Sequence, residues 1–210
     1  ANGENPDSII TSRNVDLNQS PALPYELVNV EKYVYSSAIE GRALPVLFSR
    51  GCPFACTFCC NPVVTKRKWR TMGIDKAIEQ LYQLASDYNL DSIIFWDENM
   101  TVNTEALNKL AKSINGKFKW YAQSRVNTLL KYDLEFLEKM GLWRLSCGIE
   151  SGSPRILEKI RKEEKVEEYI AANRLLAKTK ISVWYNYIVG FPEETIDDLK
   201  LTIKLSMQIL

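Results

Sequence analysis

The sequence predicts an α/β fold, specifically a partial parallel (β/α) barrel, and three observations carry that prediction. Short apolar segments alternate with amphipathic helical segments from residue 43 onward, which is typical of strands joined by crossover helices. The apolar segments number five, fewer than the eight strands of a closed barrel. The chain has 210 residues, of which 46% are hydrophobic and 25% charged, enough for one sizeable core.

The chain is expected to divide near residue 42. Residues 1–42 lack sustained periodicity and contain Pro6, Pro21 and Pro24, so we predict an irregular lead-in or linker. Residues 43–210 form the predicted core domain. Because the sequence stops with the helix after the fifth strand, we expect this core domain to be incomplete at its C-terminus.

The first half of the core contains two strand–helix units and a third strand. Strands are predicted over 44–49 and 92–96, the second almost wholly apolar as in a buried parallel strand. Helices are predicted over 73–89 and 104–114 from apolar residues at i, i+3, i+4 and i+7, with Asn103 as an N-cap. Residues 119–127 alternate as a strand, and one face of it would carry four polar-tipped side chains, Tyr121, Gln123, Arg125 and Asn127.

The second half continues the same pattern. A helix over 133–140 begins at Asp133 and ends before Gly141, and a strand follows over 143–149. Ser153 and Pro154 open the next helix as N-cap and first helical residue, and another helix covers 166–178. The fifth strand is predicted over 182–189, and Thr195 caps the last helix.

Four of the five cysteines lie within nine residues of one another, directly after the first strand. Cys52, Cys56 and Cys59 have the spacing C-x3-C-x2-C, and Cys60 follows at once. Three thiolates this close can bind three irons of a cubic iron–sulfur cluster and leave the fourth iron open. A zinc ion held by all four thiolates is the alternative, although adjacent cysteines rarely complete a tetrahedron. An odd, clustered set is a poor disulfide framework, so we predict a reducing, cytoplasmic location.

Composition excludes several other classes of function. The chain contains no histidine, which rules out a Ser-His or Cys-His catalytic pair and any zinc site that needs imidazole. Lys plus Arg total 27 and Asp plus Glu total 26, so the net charge of +1 gives no electrostatic basis for nucleic-acid or membrane binding. No apolar run approaches the roughly 18 to 20 residues of a membrane span.

The cysteine spacing, with Phe58 before the third cysteine and a strand before the first, resembles the radical S-adenosylmethionine (radical SAM) superfamily. The resemblance implies a [4Fe-4S] cluster on Cys52, Cys56 and Cys59, with S-adenosylmethionine at the open iron. It also implies reductive cleavage of S-adenosylmethionine to a 5′-deoxyadenosyl radical, followed by methyl transfer or hydrogen abstraction. Members of this superfamily take an electron from a donor such as flavodoxin or ferredoxin and act here, we expect, on a small-molecule substrate.

The same resemblance assigns cofactor-binding roles to residues at the strand ends. Asp97 and Glu98 stand where the family often has Gly-Gly-Glu and would contact the methionine amino group. Arg125 would hold the carboxylate of S-adenosylmethionine, and Glu150 and Ser151 would lie near the ribose. Asn186 replaces the first glycine of the G-x-I-x-G-x-x-E pattern that supports adenine. The full predicted set is Phe58, Asp97, Glu98, Gln123, Arg125, Glu150, Ser151, Ile188 and Gly190.

Three phrases are similar to the group of this superfamily that is associated with a cobalamin-binding domain. They are the segment 96–103, Gly-Ile-Glu-Ser-Gly-Ser over 148–153 and Val-Gly-Phe-Pro-Glu over 189–193. Members of that group usually carry an upstream Rossmann-like domain, so any cobalamin would be bound by a domain not visible here. Two alternatives stay open: a methylthiotransferase or tRNA-modifying enzyme of the same superfamily, and a non-enzymatic zinc or iron–sulfur structural module.

Overall fold

A computed structural model describes residues 16–21, 23–34 and 41–209. The predicted irregular lead-in therefore lies partly outside the described residues. Within 16–34 the chain forms three short 3₁₀ helices, Leu17–Gln19, Tyr25–Leu27 and Val30–Tyr33. The regular α/β pattern begins at residue 43.

Five parallel strands form the main sheet, in the order β1-β4-β5-β6-β7, and a separate pair, β2 and β3, is antiparallel. The strands are β1 (Ala43–Val46), β2 (Ser49–Arg50), β3 (Arg70–Thr71), β4 (Ser92–Phe95), β5 (Lys119–Ser124), β6 (Leu142–Glu150) and β7 (Ser182–Tyr187). Each main strand pairs with its sequence neighbours in the sheet, as in the wall of a (β/α) barrel. Among the described residues β1 and β7 are the two edges, so the predicted partial barrel is confirmed.

Helices follow the strands, and four of those in the described residues begin at caps that the sequence predicts. The helices are α1 (Asn61–Val64), α2 (Ile74–Asp87), α3 (Thr104–Ile114), α4 (Val126–Leu129), α5 (Leu134–Lys139), α6 (Pro154–Lys159), α7 (Val166–Leu176) and α8 (Ile196–Gln208). The predicted N-caps Asn103, Asp133, Ser153 and Thr195 each accept a hydrogen bond from a backbone N–H of the first turn. No helix in the described ranges is long and apolar enough to cross a membrane.

The core lies between one face of the sheet and the helices that cover it. Phe95 of β4 and Trp120 of β5 meet edge-to-face at 6.1 Å, and both are fully buried. Leu107 and Leu110 of α3 complete the packing there. The opposite face of the sheet carries a small separate apolar cluster, Ala43, Ile94 and Tyr121. The helices therefore hold the strands in place by packing on one face of the sheet, and the residues at the strand ends are available to form the site.

Three predicted strands were too long by two or more residues, and one of them, expected over 182–189, ends at Tyr187. The strand expected over 44–49 ends at Val46, and the chain then forms the short strand β2, which pairs with β3 instead of the main sheet. The strand expected over 119–127 ends at Ser124, and residues 126–129 turn into α4. The Ser124 and Thr128 hydroxyls both donate to the Arg125 carbonyl, at 2.9 Å, which supports the turn. Arg125 and Asn127 therefore do not continue the polar strand face.

Candidate cofactor site at the strand ends

The cysteine loop, residues 51–69, begins after β2 and ends at β3. The pairs Ser49–Thr71 and Arg50–Arg70 close its base. Gly51 has φ of +91°, and a Cβ there would overlap the carbonyl oxygen of Lys68. Only glycine fits this position, because the two ends of the loop approach too closely for a side chain.

Two carboxylates at the end of β4 hold the start of the cysteine loop. Asp97 is fully buried and accepts from the Phe48 N–H (3.1 Å), the Ser49 N–H and the Ser49 hydroxyl (2.5 Å). Glu98 Oε2 accepts from the Gly51 N–H at 2.9 Å. Burial raises the pKa of Asp97 to about 6, although these donors act in the opposite direction. Both residues were predicted to contact the methionine amino group. In the structure Asp97 bonds Phe48 and Ser49, just before the loop, and Glu98 bonds the first residue of the loop, Gly51.

The three motif cysteines differ in burial and in the donors that reach their sulfur atoms. Cys56 is buried, Cys52 and Cys59 are half-buried, and Cys60 is exposed. The Asn61 N–H donates to the sulfur of Cys59 at 3.4 Å. Burial raises the pKa of Cys52, partly offset by the Phe54 N–H, the charge of Arg125 and the amide of Asn99.

These donors fit a cluster better than a single ion. A zinc ion needs its sulfurs about 2.3 Å away on one centre, whereas a cubic cluster takes each cysteine on a different iron. N–H donors near cysteine sulfurs are the usual surroundings of such a cluster. The donor set of Cys52, Cys56 and Cys59 therefore fits a [4Fe-4S] cluster.

Arg125 reaches the cysteine loop from the end of β5. Its Nη1 donates to the sulfur of Cys56 at 3.0 Å, and its guanidinium carbon lies 3.8 Å from the centre of the Phe54 ring. Its Nη2 donates to the Lys162 carbonyl and lies 3.8 Å from Glu164 Oε2. The guanidinium predicted to hold the carboxylate of S-adenosylmethionine is thus buried and already engaged within the protein.

A buried ionic cluster, Lys162, Glu150 and Glu164, lies beside Arg125. The Lys162 ammonium is 2.9 Å from Glu150 Oε1 and 3.4 Å from Glu164 Oε2. Glu150, predicted near the ribose, ends β6 with φ of +64°, a conformation that is strained for a residue with a side chain. Sequence reasoning missed Lys162 and Glu164, since Lys-Glu-Glu-Lys over 162–165 reads as a solvated surface run.

The remaining predicted residues surround this cluster less directly. The Ser151 hydroxyl is fully buried and bonds to Thr202 (3.2 Å) and the Ser153 N–H (3.1 Å), so its contacts give the predicted ribose role no support. Gln123 is half-buried on β5 and pairs in register with Ser146 of β6.

The predicted adenine segment approaches the site through its backbone. The Ile188 N–H donates to the Glu150 carbonyl at 3.0 Å. Gly190 has φ of +91°, and its surroundings leave open space where a Cβ would lie. Phe58 and Phe191 are adjacent rings, 5.9 Å apart, which ties the cysteine loop to the turn after β7. Cofactor contact by Phe58, Ile188 and Gly190 stays a prediction.

Comparison with known proteins decides the family. Residues 46–206, well over half of the chain, match the family model described as the radical SAM superfamily. The chain belongs to the radical SAM superfamily. This membership confirms the resemblance inferred from the cysteine spacing, and superfamily members use a [4Fe-4S] cluster and S-adenosylmethionine.

Curated radical SAM relatives share about a third of the residues of this chain. An uncharacterized methyltransferase of Pyrococcus horikoshii is 32% identical over 200 residues, which is 94% of this chain and 42% of the relative. The anaerobic magnesium-protoporphyrin IX monomethyl ester cyclase of Cereibacter sphaeroides is 30% identical over 188 residues, covering 86% of this chain and 30% of the cyclase. The chain therefore spans less than half the length of these relatives.

Two solved radical SAM structures share the fold. The cobalamin-dependent S-adenosylmethionine radical enzyme OxsB matches 78% of this chain and 26% of its own, with a TM-score of 0.68 and 22% identity. The radical S-adenosylmethionine methyltransferase TsrM from Kitasatospora setae, with cobalamin and a [4Fe-4S] cluster bound, matches 79% of this chain and 32% of its own, with a TM-score of 0.69 and 15% identity. These likenesses support the fold alone.

Proposed function

We propose that this chain is the core of a radical SAM enzyme that binds a [4Fe-4S] cluster through Cys52, Cys56 and Cys59 and cleaves S-adenosylmethionine reductively. One observation carries the proposal: a C-x3-C-x2-C loop stands at the carboxyl ends of parallel strands in a chain of this superfamily. In β/α barrels functional residues gather at that end. Bound together, the cluster and S-adenosylmethionine supply the radical, and the protein orients them and excludes water.

The residues of this chain divide that work between them. Asp97 and Glu98 hold the backbone at the start of the loop, and Arg125 binds a ligand cysteine from the other side. Glu150 ends β6 at the edge of the buried ionic cluster and is the carboxylate we propose for the ribose hydroxyls. Ile188 and Gly190 supply the backbone beside the adenine.

The substrate is proposed to be a small molecule that undergoes methyl transfer or hydrogen abstraction. Support comes from the activities for which two relatives are named, a methyltransferase and a cyclase. We propose cobalamin as a further cofactor because OxsB is cobalamin-dependent and TsrM binds cobalamin. It would be held by a domain outside this chain. The net charge of +1 gives no basis for a nucleic-acid substrate. We place the enzyme in the cytoplasm, the reducing compartment that clustered free cysteines favour.

A basic surface on the cysteine loop supports a one-electron donor such as flavodoxin or ferredoxin as the partner. Lys66, Arg67 and Lys68 are all exposed, and Arg67 Nε donates to the Pro53 carbonyl at 2.8 Å, within the loop itself. Two exposed valines, Val63 (80%) and Val64 (68%), adjoin these charges. We call these five residues the basic patch. An acidic donor protein is the partner that such charges attract.

Anaerobic reconstitution tests the proposed function. Wild-type protein should hold about four irons and four acid-labile sulfides per chain and, with dithionite, convert S-adenosylmethionine to 5′-deoxyadenosine. Cys56→Ala should abolish that product, and Cys60→Ala, a change to the adjacent exposed thiol outside the motif, should leave it intact. Tightly bound zinc without sulfide, or full 5′-deoxyadenosine formation by Cys56→Ala, would show that the proposal is wrong.

A further inference from the structure

Asn99 carries a buried amide whose nitrogen makes no well-formed hydrogen bond in the described structure. It lies just after β4, two residues beyond Asp97, and its side chain is fully buried. The amide Nδ2 is buried without a hydrogen-bond partner among the described groups. Leaving such a donor unpaired costs about 1 to 3 kcal/mol, so an unpaired buried donor marks a place where a ligand is expected.

The orientation of this amide is set by a cluster of hydroxyl groups. Asn99 Oδ1 accepts from the Thr101 hydroxyl at 3.0 Å. Thr101 Oγ1 lies 2.6 Å from both Ser124 Oγ and Thr128 Oγ1. These last two hydroxyls bond to the Arg125 carbonyl, so the cluster joins the end of β4 to the end of β5. With its oxygen held in this way, the amide presents Nδ2 on its other side.

Cys52 is the group toward which that nitrogen acts. Glu98, directly before Asn99, accepts from the N–H of Gly51, directly before Cys52, at 2.9 Å, so the end of β4 lies against this cysteine, and the Asn99 side chain interacts with Cys52. A thiolate sulfur accepts hydrogen bonds. If the amide oxygen took the place of Nδ2, the lone pairs of the oxygen and of the sulfur would face and repel each other. The neighbouring motif cysteines already receive donors, Cys56 from Arg125 and Cys59 from the Asn61 N–H.

We propose that Asn99 Nδ2 donates a hydrogen bond to the sulfur of Cys52 when that sulfur binds the cluster, and thereby makes the cluster easier to reduce. This inference rests on the proposed function, since it takes Cys52 as a cluster ligand. One electron arrives from an external reductant and no proton moves. The added negative charge spreads onto the cysteine sulfurs, so a donor on one of them stabilises the reduced form more than the oxidised form. Asn99 is thus a positioning residue that acts through Cys52.

The test is a redox titration of reconstituted protein, followed by electron paramagnetic resonance, with dithionite as reductant and no S-adenosylmethionine present. In Asn99→Leu, which keeps the size and removes the donor, the ratio of reduced to oxidised cluster at the wild-type midpoint should fall about tenfold. For a one-electron couple this corresponds to about 59 mV. Asn99→Asp keeps the shape, replaces the donor with a charged acceptor, and should lower the ratio further. Thr101→Val should lower it less, because the amide is retained but no longer held.

Asn173→Leu is the matched control. The Asn173 amide accepts from the Tyr185 hydroxyl at 3.0 Å, so its replacement should leave the midpoint unchanged. An Asn99→Leu and an Asn99→Asp protein with full iron and sulfide content and the wild-type midpoint would overturn the inference. An unchanged midpoint together with weaker S-adenosylmethionine binding would also overturn the inference. It would indicate that Asn99 Nδ2 donates to the carboxylate of that cofactor. Failure of the wild-type protein to assemble any cluster would instead overturn the proposed function.

Discussion

Arg125 Nη1 donates a hydrogen bond to the sulfur of Cys56 at 3.0 Å, although 69 residues separate the two in sequence. The same guanidinium stacks on Phe54, so one side chain from the end of β5 contacts two residues of the cysteine loop. The charge of Arg125 is balanced by Glu164, whose Oε2 lies 3.8 Å away. The loop is therefore anchored on both sides, by Asp97 and Glu98 near its start and by Arg125 at its centre.

Replacing Arg125 with methionine tests this anchor. Arg125→Met keeps much of the apolar stem but leaves Glu164 with only Lys162, at 3.4 Å, as a charged partner. Breaking a buried pair in this way should lower the free energy of unfolding by about 3 kcal/mol, measured by urea denaturation. Arg174→Met, on the exposed side of α7, should change it by less than about 0.5 kcal/mol. Equal effects of the two substitutions would contradict a structural role for Arg125.

Asp97 should make stability depend on pH in a defined window. Its pKa is raised from an ordinary value of 3.8 to about 6 in the folded protein, so the folded state binds the proton more tightly than the unfolded state. The contribution is fully present below about pH 4 and is lost as the pH rises through about 6, at most about 1.4 kcal/mol per pH unit. Asp97→Asn should remove this dependence.

At pH 7 the same Asp97→Asn substitution should also be destabilising. Three donors point at the Asp97 oxygens, and an amide replaces one acceptor oxygen with a second set of N–H donors. We expect a loss of about 1 to 3 kcal/mol, measured by urea denaturation at pH 4 and pH 7. A variant that keeps the wild-type difference between the two pH values would show that another group titrates.

The strand and helix pattern could be predicted because periodicity and caps are local signals. The five parallel strands and the caps at Asn103 and Thr195 are confirmed. The pair β2 and β3 could not be predicted, since two residues in each strand are too few for any periodicity. The early end of β5 depends on hydroxyl groups bonding the Arg125 carbonyl, which alternation of apolar and polar residues does not reveal.

In the candidate site, too, local sequence signals could be predicted and contacts between distant residues could not. The cysteines and the strand-end carboxylates could be found because their residue types and spacing suggest their chemistry. Their partners could not, because each partner is distant in sequence: Asp97 bonds Ser49, and Arg125 bonds Cys56. Lys162 is the clearest omission, since a charge run predicts exposure and only the folded structure encloses this ammonium between two carboxylates.

Gly148 should be intolerant of a side chain because the buried ionic cluster lies against it. A Cβ at Gly148 would overlap Glu150 Oε1 and lie 3.0 Å from Lys162 Nζ. Gly148→Ala should therefore cost about 1 to 3 kcal/mol of unfolding free energy and weaken S-adenosylmethionine binding in equilibrium dialysis. In a Glu150→Ala background the overlapping atoms are gone, so the added cost of Ala at 148 should shrink. Additive costs would show that the two positions do not couple.

The basic patch should control electron delivery without affecting the radical site. Reversing the charges of Lys66, Arg67 and Lys68 together to glutamate changes the local charge by six, and an acidic donor should then be repelled. With reduced flavodoxin as donor, 5′-deoxyadenosine formation should fall at least tenfold at low salt, and rising ionic strength should narrow the gap because salt screens exposed charges. With dithionite, a small reductant that needs no docking surface, wild-type and reversed proteins should react alike. Equal loss with both reductants would mean that the substitutions damage the cysteine loop, and no loss with flavodoxin would mean that the donor docks elsewhere.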